Sequence, residues 1–396
     1  MIYFDNSATT KIDPEVFDAM KPYLAEEYGN PSSKYYDRAE YAKKAVERAR
    51  EQVAELINAK PEEIVFTAGA TESTNFVIKG YLDYRKYYGD GKNHVITTMT
   101  EHKATINTCK FLNGDIYSNN DPSVNLFGEK KTVDRGFEAS FVAVDGTGVV
   151  DIEAMKNAFK ENTALVSAIY VNNEVGSVND IGAIAKLAHS HGALLHTDVT
   201  QALGKRLVDV RTLECDYLSC SAHKIHGPKG VGAAFLKSDM YGIEPLTALH
   251  HGGEQEQGLR AGTLAVHDIV GFGKAAEIAK NNFEKNKKYI ADIDKYLVEN
   301  LLRVPHIRLT NPSANRQRGI VSIIIDRKDF NNERFLKKIS SELALSTGSA
   351  CSLGEPSYVL KAMGLSQYTA KVLRISLDKY TKNDDVDKLI KVLSEI

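Results

Sequence analysis

Cysteine is scarce in this chain, with four in 396 residues and none in a CxxC pair. That is too few for a disulfide framework and the wrong spacing for a zinc site. Long apolar runs are missing as well. None approaches the ~20 residues that cross a bilayer, and Met1-Ile2-Tyr3-Phe4-Asp5-Asn6 has neither the basic nor the apolar region of a signal peptide. The expectation is a cytoplasmic protein without membrane contact. An excess of either charge is also lacking, since 50 basic residues face 52 acidic ones. This balance gives no ground for direct nucleic-acid binding. His189 with His191, and His250 with His251, have no cysteine or carboxylate framework around them, so no metal site is expected.

What is present points to a folded protein of two domains. A chain of 396 residues is too long for one core, and 43% hydrophobic residues are enough to fill two. Strand-like runs at 63–67, 94–99, 139–144, 164–171, 193–196, 217–220 and 231–236 alternate with helical patterns such as 37–57, 151–159 and 181–191. That alternation predicts an α/β fold in which a mostly parallel sheet carries helices on both faces and binds ligands beyond its carboxyl ends. A long helix over about 275–302 reads as the connector to a smaller α+β domain. Strands at 319–325 and 372–377 and helices at 332–343, 357–363 and 384–396 are expected there. The expected division is a large cofactor-binding domain over 16–275, with 1–15 and 276–396 forming the small domain. The polar stretch 113–135 reads as a surface insertion without a legible role.

Thr71, His102, Asn173, Asp198 and Lys224 each follow an apolar run, so this fold would bring them to one edge. Lys224 stands in Ser221-Ala222-His223-Lys224-Ile225-His226-Gly227-Pro228-Lys229-Gly230, where two expected strands meet a turn. A lysine desolvated there has a lowered pKa and acts as an amine nucleophile toward an aldehyde, of which pyridoxal phosphate is the obvious one. Such an enzyme also needs a carboxylate against the pyridine nitrogen, a phosphate cup and a cation for the substrate carboxylate. Asp198 is the candidate carboxylate, although an Asx turn also fits it. The turn Gly69-Ala70-Thr71 entering a helix offers backbone N–H groups to a phosphate, although Thr71 also reads as a helix cap. Gln201 and Asn173 could reach the ring hydroxyl. His102 could lie on the ring face or shuttle a proton, or be a loop histidine. Arg374 could bind a carboxylate in a fork, or be a surface residue.

Cys351 follows the small residues Ser346-Thr347-Gly348-Ser349-Ala350 and is expected to present an accessible thiol. Cys109, Cys215 and Cys220 fall in helix or strand patterns and read as small buried hydrophobes. Gly227-Pro228-Lys229-Gly230 lacks the spacing of a nucleotide-binding P-loop.

Nine segments, taken together and in order, closely resemble the cysteine desulfurases of the class V aminotransferase fold. They are Asn6-Ser7-Ala8-Thr9-Thr10, Gly29-Asn30-Pro31-Ser32-Ser33, Phe66-Thr67-Ala68-Gly69-Ala70-Thr71-Glu72-Ser73, Thr100-Glu101-His102-Lys103, Val171-Asn172-Asn173-Glu174, Asp198-Val199-Thr200-Gln201, Ser221-Ala222-His223-Lys224, Arg260-Ala261-Gly262-Thr263 and Gly348-Ser349-Ala350-Cys351. The resemblance implies a pyridoxal-phosphate transferase fold with a seven-stranded, mostly parallel sheet. It also implies a homodimer acting on L-cysteine. By the same likeness Lys224 would hold the cofactor and move the Cα proton, and His102 would stack on the ring. Asp198 would meet the ring nitrogen and Gln201 the ring hydroxyl. Ala70, Thr71, Ser221 and His223 would bind the phosphate, joined by Thr263 of the other subunit, while Arg374 and Asn173 would hold the substrate carboxylate. Cys351 would take the sulfur as a persulfide, leaving alanine, and pass it to a protein acceptor or scaffold for iron-sulfur assembly, tRNA thiolation or DNA phosphorothioation.

The chain departs from that pattern in places. His226 stands where tyrosine is usual, Tyr35 or Tyr36 where histidine is, and Gln257 where arginine is, and the segment after Cys351 is short. The competing expectations are another pyridoxal-phosphate aminotransferase, a selenocysteine lyase, or a sulfur-carrier scaffold without catalysis.

Overall fold

Side chains alternate across a strand, so continuous apolar runs give the strands two buried faces, and the fold follows from covering both. A computed structural model describes residues 1–115, 133–243, 245–348 and 357–396. Most of the expected insertion, and Cys351, lie outside the described residues. The large sheet has seven strands in the order Ile64–Thr67, Gly232–Leu236, Tyr217–Ser221, Leu194–Asp198, Thr163–Ile169, His94–Thr98 and Glu138–Val142. Gly232–Leu236 runs antiparallel to both neighbours and every other pair is parallel. Ala233 and Phe235 join one apolar cluster while Ala234 and Leu236 join another, so each sheet face has its own core. Helices Asp37–Leu56, Ile181–Ser190 and Val266–Asn281 cover the first face, and Ala70–Tyr87 with Lys103–Leu112 cover the second. The expected α/β architecture with a mostly parallel seven-stranded sheet is thus observed.

A second sheet, Ile307–Leu309, Ile320–Ile325 and Val372–Ser376, is antiparallel and packs with helices Phe283–Leu301 and Asn383–Ser394 around a separate cluster that includes Phe4. The N-terminal stretch links the two halves. Ile2–Tyr3 pairs with Leu343–Ala344, Asp5 bridges Ser376, and a few residues later Thr10 N–H donates to the His223 carbonyl at 3.0 Å.

Two expectations are corrected. The helix read over 275–302 is two helices, Val266–Asn281 and Phe283–Leu301. Asn282 leaves helical geometry (φ −107°, ψ 12°), and its side-chain amide donates to the Ile278 carbonyl at 3.0 Å, ending the first helix. The helix read over 332–343 stops at Ile339, because Leu343–Ala344 is taken up as the strand partner of the N-terminus. Among the described residues no helix is long and apolar enough to cross a membrane.

One buried ion pair fixes the loop that follows the large sheet. Arg50 donates to both carboxylate oxygens of Glu256, at 2.8 and 2.7 Å, and Phe66 N–H adds a third bond to Glu256 at 2.7 Å. Glu256 and Gln257 have φ of 48° and 60°, a left-handed geometry that costs side-chain-bearing residues free energy and that the ion pair holds in place. Glu256→Ala takes the buried carboxylate from Arg50, which is only 7% exposed and keeps the half-exposed Glu47 at 3.3 Å and the Ile64 carbonyl at 2.7 Å. The expected loss is about 3–5 kcal/mol of unfolding free energy, read by urea denaturation; a loss within experimental error would contradict this role.

Candidate active site

A cavity of about 880 Å³ opens at the carboxyl ends of the large sheet's strands. Ala70, Thr71, His102, Asn173, Asp198, Gln201, Ser221, His223, Lys224 and Arg374 all line it. Thr263 does not line this cavity and is exposed on its own chain.

Lys224 ends the short turn Ala222–Lys224 that follows the strand Tyr217–Ser221. Its Nζ donates to the Ser7 and Ala8 carbonyls, the latter at 2.7 Å. Burial, with the charges of Lys205 and Arg374, pulls its pKa down to about 7 against the opposing effects of Asp5 and Asp198. A large share of the amine is therefore neutral near pH 7, as attack on an aldehyde requires. Lys205 is itself lowered to about 8 by burial. It donates to Gln201 Oε1 at 3.1 Å, while Gln201 Nε2 donates to the Ser7 carbonyl at 2.8 Å. Both ends of the Gln201 amide are engaged, so Gln201 braces the Lys224 acceptor Ser7. Nothing in the sequence separates Lys205 from a surface lysine.

Asp198 closes the strand Leu194–Asp198 and is 3% exposed. Its Oδ1 accepts from Thr200 N–H at 2.8 Å, so the Asx turn is present and holds the carboxylate in the cavity wall. His102 caps the helix Lys103–Leu112, its Nδ1 accepting from Ala104 N–H at 3.1 Å. That bond places the proton of the neutral ring on Nε2. Burial lowers the His102 pKa, with Lys224 and Lys103 acting in the same sense and Asp198 against it. His223 is lowered to about 4, first by burial and then by Lys224, Lys229 and Lys205.

The phosphate candidates converge at the start of the helix Ala70–Tyr87. A Cβ on Gly232 would lie 2.6 Å from the Gly69 Cα, so glycine there is what lets the antiparallel strand press against this turn. Glu72 folds back, accepting from Ala68 N–H at 2.8 Å and from Arg260 at 2.8 Å. Arg374 is 1% exposed, which overturns the surface reading. It donates to the Asn173 carbonyl at 2.9 Å, the Gly348 carbonyl at 3.0 Å and Asp5 Oδ1 at 2.7 Å. Its Nε, with Ser7 Oγ and Thr200 Oγ1 of two other lining residues, is buried and has no partner among the described residues. Cys109, Cys215 and Cys220 are buried and away from the cavity lining, as expected.

This donor set fits pyridoxal phosphate: a partly neutral amine, a helix N-terminus with a serine for the phosphate, a fixed carboxylate, and a guanidinium among the lining residues. The Aminotransferase class-V family profile matches residues 2–389. The chain belongs to the class-V aminotransferases. It groups with their cysteine desulfurases, as the nine segments implied. It is 37% identical to the cysteine desulfurase IscS of Shewanella frigidimarina over 402 residues, covering 100% of this chain and 92% of that one. A NifS-like protein of known structure superposes with a TM-score of 0.87 at 32% identity, covering 100% of this chain and 98% of that one. SspA, solved in complex with cysteine, gives 0.79 at 32% identity, covering 96% and 100%.

The lowered pKa of Lys224 is testable in this class-V protein without turnover. In cofactor-free protein, borohydride trapping of a small aldehyde on Lys224, quantified by peptide mass spectrometry, should rise with pH to a midpoint near 7. Lys205→Met removes a neighbouring cation and should move that midpoint upward. A wild-type midpoint near the ordinary lysine value of 10.5 would contradict the assignment.

Proposed function

We propose that this cysteine desulfurase uses pyridoxal phosphate held by Lys224 to convert L-cysteine to L-alanine, with the sulfur captured as a persulfide on Cys351. The observation that carries the reading is the Lys224 amine, half-buried, lowered to about 7 and sharing one cavity with Asp198 and Arg374. When bound, the cofactor supplies an electron sink that acidifies the substrate Cα–H.

The protein's own groups do the rest. Ala70 and Thr71 N–H groups, Ser221 Oγ and His223 would hold the phosphate, and Asp198 would keep the ring nitrogen protonated. Gln201 would sit near the ring hydroxyl. His102 would stack on the ring and exclude water. Arg374 and Asn173 would hold the substrate carboxylate. Lys224 Nζ, released by the incoming substrate amine, would take the Cα proton. The Cys351 sulfur would then bond to the substrate sulfur as the Cβ–sulfur bond breaks. The electron pair of that bond stays with carbon, which takes a proton and becomes the methyl group of alanine. Cys351 lies three residues beyond Gly348, whose carbonyl Arg374 holds at the cavity. Three residues reach about 10 Å, so the tether is compatible with this attack.

Thr263 is exposed and outside its own cavity, which suits a contribution to the phosphate of a second copy in a homodimer. The domain division at 16–275 and at 1–15 with 276–396 draws support from the separate apolar cluster that contains Phe4, although Ala276 and Ala279 stay with the core of the large sheet. A persulfide and reduced buried thiols suit the cytoplasm, and delivery is to a protein acceptor serving iron-sulfur assembly, tRNA thiolation or DNA phosphorothioation.

Incubation of the purified protein with L-cysteine should yield alanine and add the mass of one sulfur to the Cys351 peptide. Cys351→Ala should keep the cofactor absorbance and lose alanine formation by about 10²–10⁴-fold or more. A wild-type protein that forms no alanine, or a Cys351→Ala variant as active as wild type, would overturn the reading.

A further inference from the structure

Glu174 lines the cavity, is 4% exposed, and has no part in the roles above. Its backbone is fixed first. Asn172 Oδ1 accepts from the N–H groups of Glu174 and Val175 at 2.8 and 3.0 Å, and Asn172 Nδ2 donates to the Thr100 carbonyl at 2.7 Å. The carboxylate that this turn presents meets two other parts of the chain. Ser357 Oγ donates to Glu174 Oε2 at 2.6 Å, and the same Ser357 caps the helix Tyr358–Ala362 by accepting from Leu360 N–H. Near the same oxygen, a Cβ at Gly348 would come within 3.3 Å of Glu174 Oε2. Gly348 also has φ +101°, so glycine is needed there both for conformation and for its approach to the carboxylate. Gly348 is held further by Arg374, which binds its carbonyl at 3.0 Å, and by Ser346, whose Oγ accepts from its N–H at 3.1 Å.

Gly348 and Ser357 are the described residues on either side of Cys351 in the chain. One buried carboxylate thus hydrogen-bonds one end of the stretch that carries the sulfur acceptor and leaves room beside it for only a glycine at the other, in the wall of the cofactor cavity. We propose that Glu174 is a positioning residue for sulfur capture, anchoring Ser357 beside the Arg374-held Gly348 so that the thiol between them meets the substrate sulfur. This inference rests on the desulfurase reading. It predicts that Glu174 acts on the step that needs Cys351 and not on cofactor binding or Cα proton removal.

The test compares two substrates in cofactor-loaded protein. L-Cysteine requires the Cys351 sulfur as acceptor. L-Cysteine sulfinate does not: its Cβ–sulfur bond breaks to give sulfur dioxide, the electron pair stays with carbon, and a proton completes alanine. Glu174→Ala is expected to lower kcat for alanine from L-cysteine by about 10²-fold, the cost of misplacing a reacting group. Alanine from the sulfinate should stay within about twofold of wild type. Glu174→Gln, which keeps an acceptor for Ser357, should recover most of the loss, and Ser357→Ala should show the same selectivity at smaller size. If Glu174→Ala does not fold, Ser357→Ala decides by the same criterion. Equal loss on both substrates, or wild-type rates on L-cysteine in both alanine variants, would overturn the inference. Wild-type protein that makes alanine from the sulfinate but none from L-cysteine would overturn the desulfurase reading instead.

Discussion

The structure depends on keeping a lysine amine out of water. Lys224 rests on the Ser7 and Ala8 carbonyls, among Lys205, Arg374 and His223, and its pKa falls from 10.5 to about 7. Such a shift represents several kcal/mol of disfavour toward the charged form. The sign follows from linkage. Below about pH 7 both folded and unfolded chains carry the proton, and the folded state bears the full penalty. Between about 7 and 10.5 the folded state has released a proton that the unfolded chain keeps, so the penalty fades as pH rises. The fold accepts a locally destabilised amine in return for a reactive one.

That arrangement explains why the N-terminus is woven between the two halves. Ile2–Tyr3 belongs to the small half through Leu343–Ala344, and Thr10 binds the turn that carries Lys224. The carbonyls that hold Lys224 lie between those two attachments. Arg374 repeats the theme from the small sheet, reaching Asp5, Asn173 and Gly348 with one guanidinium. Few of these groups can shift without moving another, which is what a site assembled from sequence-distant segments requires.

Much of this was legible in the sequence because it rests on local signals. Apolar runs ending in polar residues placed Asp198 and Lys224 at strand ends, and the continuous run 164–171 marked a central strand, which is observed over Thr163–Ile169 and buried throughout. What sequence reasoning missed are residues whose meaning lies in distant partners. Lys205 reads as a surface lysine until Gln201 is found one turn before it. Glu174 reads as part of a turn until Ser357 and Gly348 close on it. The break at Asn282 hides inside a continuous helical pattern, since a side chain bonding back to Ile278 leaves no trace in periodicity. Thr263 was placed by resemblance, and its distance from its own cavity has meaning only with a second copy.

The central claim is a division of labour in which Lys224 moves the Cα proton and Cys351 takes the sulfur. Proton NMR of L-alanine in deuterated buffer, following loss of the Cα–H signal, isolates the first task from the second. The account predicts exchange at similar rates in cofactor-loaded wild type and Cys351→Ala, and none above background in Lys224→Ala. Exchange that persists without Lys224, or that disappears without Cys351, would contradict it.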